Sequence, residues 1–296
     1  MTTLENGSEL PSDVSPLLEI DAFPFRGLKI SEEWKRLESI EGRTICPSCK
    51  KSRKYFCYSC HIPISEIKHF VPKVKLPIKI DIIKHAREMD GKSTAVHAAV
   101  LAPEDVRIFT YPCIPDYSPN EHVVLIFPNE NAVSVEEVCK RFSRNVGEPQ
   151  SKRLCTDISR QLVHRAVFID STWNQSRGIF KDPRIRALPS VVLKSRLSQF
   201  WRHQVGSPRW YLATIEAIHQ FLVELDAAQL VASPIQENEE RRVSEEEVTG
   251  SGRQEEFEYN YNGQYDNLLF FFRFMYSKIH TLYDHEQLRS YKRPLQ

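Results

Sequence analysis

Short apolar runs alternate with helical patterns from Val71 onward, and this alternation predicts repeated βαβ units. The predicted strands are residues 78–83, 107–111, 122–127, 166–169 and 191–194. The run that ends at Ile169 is continuously apolar, which is typical of a strand buried on both faces of a parallel sheet. The pattern therefore predicts an α/β fold with a mostly parallel sheet and flanking helices.

Helical periodicity marks the segments between and after these strands. The tetrapeptide Ser134-Val135-Glu136-Glu137 fits a capping box and begins an amphipathic helix. A longer helix is predicted over residues 212–230, and the very apolar stretch 268–275 is predicted to form a helix that packs back onto the sheet. A shorter helix is predicted near residues 31–40.

Changes in composition divide the chain into five segments. Residues 1–41 are acidic and are predicted to be largely disordered, whereas residues 42–70 form a compact cysteine module. Residues 71–232 form the α/β domain, and residues 233–260 form an acidic insertion, also predicted to be disordered. Residues 261–296 supply the C-terminal helix. We expect no membrane span and no secretion signal.

Charge is strongly segregated although the formal net charge is only +1. Residues 1–41 carry nine acidic and four basic side chains, and residues 237–258 carry nine and three. Residues 42–92 carry four acidic side chains and twelve Lys or Arg. A basic block of this kind is expected of a protein that binds a phosphate backbone. A solvated basic face balanced by acidic tails would explain the same counts.

The cysteine module has the spacing C-x2-C-x7-C-x2-C, formed by Cys46, Cys49, Cys57 and Cys60. Two such knuckles present four thiolates to one tetrahedral ion, so we predict a structural site and zinc as its ion. The chain has seven cysteines, an odd number that argues against a disulfide framework. Four unrelated thiols, a redox pair or an iron–sulfur cluster remain as alternatives.

Cations and aromatic rings alternate between the two knuckles. This composition suits RNA, whose phosphates contact Lys and Arg and whose unstacked bases contact rings. Alternatively, Tyr55 and Phe56 pack beneath the metal. The residues concerned are Lys50, Lys51, Arg53, Lys54, Tyr55 and Phe56, with Tyr58 and His61 just beyond.

Polar chemistry follows directly after the predicted strand 166–169. There Asp170-Ser171-Thr172-Trp173 places a carboxylate, two hydroxyls and a large aromatic ring together. Ligands of open α/β sheets bind beyond the carboxyl ends of strands. The sequence therefore predicts a pocket at this strand end.

Four blocks of sequence resemble the DTW-domain family of S-adenosylmethionine-dependent aminocarboxypropyltransferases, which modify uridine in RNA. Their order and spacing resemble the eukaryotic subgroup that acts on uridine 20 of the tRNA D-loop, over roughly residues 43–285. Two departures stand out: Ala86 replaces the family's usual proline, and Ala213 its usual serine. The blocks are Asp170-Ser171-Thr172-Trp173, Lys84-His85 with Glu88 and Lys92-Ser93-Thr94, Leu125-Ile126-Phe127-Pro128, and Phe200-Trp201-Arg202-His203 with Ala213-Thr214-Ile215-Glu216-Ala217.

The resemblance implies a fold related to the knotted SPOUT methyltransferases and a reaction at N3 of uridine. There the 3-amino-3-carboxypropyl group of S-adenosylmethionine would be transferred and 5′-methylthioadenosine released. Asp170 is the candidate general base or orienting carboxylate, unless it only hydrogen-bonds loop backbone. Glu216 at a helix start fits capping as well as catalysis.

The resemblance also implies binding residues. Trp173 is expected to wall the adenosine site, with core packing as the alternative, and Thr172 to brace the loop. The cofactor-binding candidates are Thr94, Phe127, Pro128, Thr172, Trp173 and Thr214. Lys84, His85, Arg202 and His203 are expected to contact RNA phosphates or the cofactor carboxylate, and the pattern of the cysteine module adds Lys51, Arg53 and Lys54 as RNA-binding candidates.

Other functions fit parts of the same pattern. The rivals are a knotted RNA methyltransferase, a non-catalytic zinc-dependent RNA-binding module, and a scaffold whose acidic insertion recruits partners. The expected partner is tRNA. The resemblance favours the nucleus, with the cytoplasm as the alternative. The sequence sets neither the oligomeric state nor which tRNAs are modified.

Overall fold

The apolar runs form one parallel sheet in the structure, a computed structural model that describes residues 24–145, 162–203, 207–231, 261–284 and 287–293. All five predicted strands are present, with ends shifted by a few residues. They are β5 (Lys79–Lys84), β6 (Val106–Thr110), β7 (Val123–Ile126), β8 (Arg165–Asp170) and β9 (Ser190–Val191). Hydrogen-bonded neighbours follow the order β6-β5-β8-β7-β9, and every pairing is parallel.

Helices cover both faces of this sheet, as the continuous apolar strands predicted. One cluster of buried side chains joins Ile80 and Ile82 of β5 to helices α1 (Ala95–Leu101), α2 (Val135–Asn145), α5 (Thr214–Val231) and α6 (Phe270–Leu282). Because side chains alternate along a strand, Ile83 and Val167 point to the opposite face. There they contact Ile179 of α3 (Trp173–Phe180) and Ile185 of α4 (Pro183–Arg186).

Local signals explain where the helices begin. The amide of Glu137 donates to the Ser134 hydroxyl at 3.1 Å, which is the predicted cap of α2. The long helix α5 corresponds to the helix predicted over residues 212–230 and begins two residues later than predicted. The apolar stretch 268–275 begins as a 3-10 helix (Asp266–Leu269) and continues as α6.

An ion cluster has formed around a buried carboxylate of the sheet. Asp81 of β5 is fully buried and accepts two hydrogen bonds, both at 3.0 Å, from Arg107 of the neighbouring β6. Arg165 of β8 donates to the same carboxylate at 3.2 Å and to Glu121 at 2.7 Å. Two arginines on adjacent strands therefore compensate the buried charge of Asp81.

The cysteine module consists of two short antiparallel hairpins, which pack on the C-terminal helix. The hairpins pair β1 (Thr44–Ile45) with β2 (Ser52–Arg53), and β3 (Phe56–Cys57) with β4 (Ile62–Pro63). The ring of Phe56 lies 4.7 Å from that of Phe271, and Tyr55 meets Phe274 edge to face at 5.1 Å. The interpretation that Tyr55 and Phe56 pack as core residues is therefore the one that the structure supports.

The segment before the module is also held by the C-terminal part of the chain. A 3-10 helix (Glu32–Ser39) occupies the position of the predicted helix at 31–40. The amide of Lys29 donates to Asp266 at 2.6 Å, and that of Ser31 donates to Asn267 at 2.8 Å.

Some predictions concern residues that the structure does not describe. The predicted acidic insertion at 233–260 lies outside the described residues, as does the stretch 1–23 of the predicted disordered N-terminus. Among the described residues, no helix is both long and apolar enough to span a bilayer.

Candidate active site

A cavity of about 820 Å³ opens at the carboxyl ends of β7, β8 and β9, where the sequence predicted a pocket. All the predicted cofactor-binding residues line it, together with Asp170, Arg202 and His203. The cavity volume lies in the range of small-molecule sites. Its walls are formed by residues 88, 92–94, 126–128, 168–174, 176, 177, 191–195, 200, 202, 203, 207, 210–214 and 217.

Asp170 lies at the base of the cavity and is 5% exposed. The Ser93 hydroxyl donates to its Oδ2 at 2.7 Å, and the Thr214 hydroxyl donates to its Oδ1 at 2.6 Å. Burial raises the pKa of Asp170 above its ordinary value, and the two hydroxyl donors and the positive charge of Lys84 offset only part of that effect. Both carboxylate oxygens are thus occupied by hydroxyls.

These contacts tie three elements together at the strand end. Ser93 precedes α1, Thr214 is the first residue of α5, and the main-chain oxygen of Asp170 accepts from the amide of His85 at 3.0 Å. The Thr94 hydroxyl accepts from the amide of Ile215 at 3.3 Å. These bonds fix the Asp170 carboxylate at the end of β8, and its role as general base or orienting carboxylate stays a prediction.

Glu216 braces the start of α5. Its buried carboxylate accepts hydrogen bonds from the amide of Ala213 at 2.8 Å, the hydroxyl of Ser198 at 2.7 Å and the amide of Gln199 at 2.7 Å. The bond from Ala213 is one half of a capping box, whose other half is lost because alanine has no hydroxyl. Of the two roles predicted for Glu216, this placement supports capping.

Aromatic rings wall the cavity around Trp173. Trp173 is half-buried, and its ring lies 3.9 Å from that of Tyr211 and 6.0 Å from that of Phe127. Tyr211 and Trp210 also line the cavity, and neither was predicted from the sequence. The signal that could have found them is the aromatic pair directly before the helix that carries Thr214.

Thr172 braces the loop that carries Trp173, as predicted. Its amide donates to Oε1 of Gln175 at 3.2 Å, and its main-chain oxygen accepts from the amide of Ser176 at 2.8 Å. These bonds begin α3 directly after β8 and so fix the direction in which Trp173 leaves the strand.

Charged residues surround the mouth of the cavity. Glu88, Lys92, Arg177, Lys194, Arg202 and His203 all line it. Arg202 and His203, predicted to contact RNA, are both exposed there. Lys84 and His85, predicted with them, are not among the lining residues: Lys84 pairs with Asp90, and Nδ1 of His85 accepts from the amide of Arg87 at 3.1 Å.

The four predicted metal ligands converge. The Sγ atoms of Cys46, Cys49, Cys57 and Cys60 all lie within 4.8 Å of one another. This is a closed set of four thiols, close enough together for one tetrahedral ion with Zn–S bonds of about 2.3 Å. The donor set therefore fits a structural zinc ion, as the spacing predicted.

Both knuckles use the same backbone turn. The fourth residue after the first cysteine of each pair has a positive φ, 60° at Lys50 and 54° at His61. The amide of Lys50 donates back to the main-chain oxygen of Cys46 at 3.0 Å, and that of His61 donates to Cys57 at 2.8 Å. The repeated turn aims each pair of thiols at one point.

Arg53 lies within the module rather than on its surface. It is 6% exposed, its Nε donates to the Sγ of Cys57 at 3.4 Å, and its guanidinium lies 3.7 Å from the centre of the Tyr58 ring. Burial opposes ionisation of Cys57, but hydrogen bonds from Arg53 and from backbone amides lower the pKa of this thiol to about 6. Lys51 is exposed and Lys54 half-buried, so both can present positive charge at the surface of the module, and their contact with RNA stays a prediction.

The module lies beside the cavity mouth. A Cβ added at Gly91 would lie 3.7 Å from the Tyr58 ring, an ordinary van der Waals contact. Gly91 belongs to the turn that carries Glu88 and Lys92 into the cavity. The second knuckle therefore supports one side of the mouth.

These features define an α/β protein with a ligand cavity at the carboxyl edge of a parallel sheet and a separate four-cysteine module. The chain belongs to the DTW-domain family, because the family model "DTW domain" matches residues 54–280. This confirms the family predicted from the sequence.

Curated relatives agree with the family match and are named as enzymes. The chain is 39% identical over 294 residues to tRNA-uridine aminocarboxypropyltransferase 1 of Mus musculus, covering 91% of this chain and 87% of the relative. It is 42% and 40% identical over 273 residues to the proteins of the same name from Rattus norvegicus and Homo sapiens, in each case covering 84% of this chain and 81% of the relative. No solved structure matches the chain.

Proposed function

We propose that the protein transfers the 3-amino-3-carboxypropyl group of S-adenosylmethionine to N3 of a uridine in tRNA and releases 5′-methylthioadenosine. The observation that carries the proposal is the cavity at the end of β8, where the family's Asp170-Ser171-Thr172-Trp173 block meets its Thr94, Phe127 and Thr214 blocks. These residues come from distant parts of the sequence and meet in one cavity. The similarity to relatives named aminocarboxypropyltransferases supports the same proposal.

Within this proposal the chain's residues have distinct tasks. The rings of Trp173 and Tyr211 pack against the adenosine part of the donor, next to Phe127 and Pro128. Thr94 and Thr214, at the starts of two helices, lie where positive helix ends favour the donor's carboxylate. Orientation is the main contribution of such a site, because a sulfonium is already a good leaving group.

The tRNA would approach over the exposed cations at the cavity mouth. Arg202 and His203 line that mouth, and the second knuckle, through Tyr58, contacts the turn beside it. We therefore place the RNA across the cysteine module and the mouth, with Lys51 and Lys54 on phosphates. Uridine 20 of the D-loop is the proposed target, as the resemblance implies.

Three further parts of the proposal rest on the family resemblance. The fold is proposed to be related to the SPOUT methyltransferases, with a knotted chain at the cavity. Zinc is the proposed ion of the cysteine module, and the nucleus is the proposed compartment.

The test of the proposal uses the full chain, S-adenosylmethionine and unmodified tRNA. We expect 3-(3-amino-3-carboxypropyl)uridine in the digested tRNA and one 5′-methylthioadenosine released per modified nucleoside, both measured by mass spectrometry. S-adenosylhomocysteine instead would identify a methyltransferase. Undiminished tRNA binding by Asp170→Ala, with no donor consumed by either protein, would identify a non-catalytic RNA-binding module.

The position is tested with tRNA transcripts that carry cytidine in place of uridine at position 20. The proposal expects this one replacement to abolish the product. Replacement of another D-loop uridine serves as the control and should leave the yield unchanged.

A further inference from the structure

Two carboxylates, Asp170 and Glu88, are found among the described residues that line the cavity. They differ in what already occupies their oxygens. Each oxygen of Asp170 accepts a hydroxyl hydrogen bond from within the protein. Glu88 is half-buried, and in the described part of the chain its carboxylate has no hydrogen-bond or ion-pair partner.

The turn that carries Glu88 is well anchored. The amide of Glu88 donates to the main-chain oxygen of His85 at 2.9 Å, and the amide of Ser93 donates to that of Met89 at 3.1 Å. Because Ser93 bonds Asp170, this turn is tied directly to the base of the cavity. Glu88 is thus an unengaged carboxylate on a fixed backbone.

The charges around Glu88 have both signs. Burial and the negative charge of Asp170 raise the pKa of Glu88 above its ordinary value, whereas Lys84, Lys92 and Arg202 act to lower it. The net shift is upward, which makes Glu88 a stronger base than an ordinary exposed glutamate. Asp170 is more buried than Glu88, and both of its oxygens already accept hydroxyl hydrogen bonds from the protein, so less of its carboxylate faces an incoming base.

We propose that Glu88 is the catalytic residue that accepts the N3 proton of the target uridine, with Asp170 as the positioning carboxylate beneath it. This inference rests on the function proposed above. The imide N–H of uridine must lose its proton before or while the nitrogen attacks, and Glu88 offers free lone pairs on the wall of the cavity that the base would enter.

The proposed step balances in protons and electrons. The N3–H bond breaks and its proton passes to the Glu88 carboxylate. The N3 electron pair forms a bond to the γ-carbon of the methionyl group, and the bond from that carbon to the sulfonium sulfur breaks. Its electron pair stays on sulfur, which leaves as the neutral thioether of 5′-methylthioadenosine, and Glu88 returns its proton to water.

The test compares wild type with Glu88→Gln, which keeps the size of the side chain and removes the base. We expect the single-turnover rate to fall by about 10²–10⁴-fold at neutral pH. Affinity for S-adenosylmethionine, measured by calorimetry, should remain within about twofold of wild type, since a base for uridine contributes little to donor binding. Glu130→Gln, a change at an exposed residue outside the cavity, is the matched control and should retain the wild-type rate.

The pH profile separates a base from a structural residue. The wild-type rate should level off once Glu88 is ionised, while the Glu88→Gln rate should continue to rise with pH as uridine N3 ionises by itself. The defect therefore shrinks at high pH, and Glu88→Asp should recover part of the neutral-pH rate. A merely structural role would give a defect that does not depend on pH.

Besides a defect that does not depend on pH, two outcomes would overturn the inference while leaving the proposed function intact. One is a Glu88→Gln rate equal to wild type. The other is a lost affinity for S-adenosylmethionine with an unchanged rate at saturation, which would make Glu88 a ligand of the donor's ammonium group. If wild type itself forms no aminocarboxypropyluridine, the proposed function fails, and that result is distinct from either.

Discussion

The hydroxyl of Thr214 donates a 2.6 Å hydrogen bond to Oδ1 of Asp170, and so joins the first residue of α5 to the last residue of β8. The two residues are 44 positions apart in the chain. Ser93 completes the arrangement from a third element, 77 positions before Asp170. Asp170, the candidate catalytic carboxylate of the sequence, therefore also connects three elements at the base of the cavity.

The raised pKa of Asp170 predicts how stability depends on pH. Because the pKa is higher in the folded protein than in the unfolded chain, the native state holds the proton more tightly. The contribution of Asp170 to the free energy of unfolding is favourable at pH values below about 3.9, the pKa of the unfolded chain. This contribution is lost as pH rises through the pKa of the folded protein. Asp170→Asn keeps a polar group that both hydroxyls can bond and removes the charge.

We therefore expect the free energy of unfolding of wild type, relative to Asp170→Asn, to decrease as pH rises from about 4 to 7. Denaturant unfolding at each pH measures this difference, and Glu130→Gln corrects for the loss of one surface charge. If the free energy of unfolding of wild type instead increases relative to that of Asp170→Asn over the same pH range, the ionised carboxylate stabilises the fold.

Loss of the Trp173 ring should weaken donor binding. Stacking of a base on an aromatic ring contributes about 1–3 kcal/mol, so Trp173→Ala should reduce the affinity for S-adenosylmethionine by about 5- to 150-fold. Calorimetric titration of the full chain measures the change.

The control for Trp173 is Trp34→Ala, which removes the same ring from the 3-10 helix, where it contacts Arg273. That variant should lose thermal stability and keep its affinity for the donor. Equal donor affinity in Trp173→Ala and wild type would remove Trp173 from the binding site.

The cysteine module should hold one metal ion per chain, and loss of that ion should lower the rate of the reaction at the cavity. Cys49→Ser removes one of the four thiols, so bound zinc measured by elemental analysis should fall from about one equivalent to near zero. Because Tyr58 of the module lies against the turn that carries Glu88, the rate of tRNA modification should fall as well.

Cys113→Ser is the matched control for the metal site, since Cys113 is exposed and outside the cluster. It should retain both the zinc and the rate. Full zinc content in Cys49→Ser would show that this thiol is not a ligand.

Two glycines should respond in opposite directions to alanine. Gly263 has φ +86°, and an added Cβ would lie 2.9 Å from a carboxylate oxygen of Asp266 and from side-chain carbons of Lys29. Gly263→Ala should therefore destabilise the protein by about 1–3 kcal/mol. Gly178, within α3, has open space at its Cβ position, so Gly178→Ala should stabilise it by about 0.5–1 kcal/mol. Thermal unfolding checks both signs, and a stable Gly263→Ala would contradict the strain argument.

Much of the fold and of the candidate site could be predicted from local sequence patterns. The five strands, the cap of α2 and the helix α5 follow from hydrophobic periodicity and capping, which are local properties. The four converging thiols follow from two short spacings, and the cavity wall at Trp173 follows from its position after a buried strand. Local patterns of this kind persist because each element must bury its apolar face wherever it lies in the fold.

Other features depended on the order of strands in the sheet. With β8 between β5 and β7, the ends of distant segments meet at one edge, and this brings Ser93 and Thr214 to Asp170. No spacing in the sequence reports that each oxygen of Asp170 accepts a hydroxyl hydrogen bond while the Glu88 carboxylate accepts none in the described part of the chain. Nor does any report that Arg53 is buried against Cys57, or that Tyr55 packs on α6.

The sequence by itself determined which segments become strands and helices, which thiols can share an ion, and where a pocket opens. The tertiary structure alone decided which polar groups are already paired and which remain free for a ligand. The physical reason is that periodicity is set by adjacent residues, whereas burial and hydrogen-bond satisfaction are set by groups that only the folded chain brings into contact.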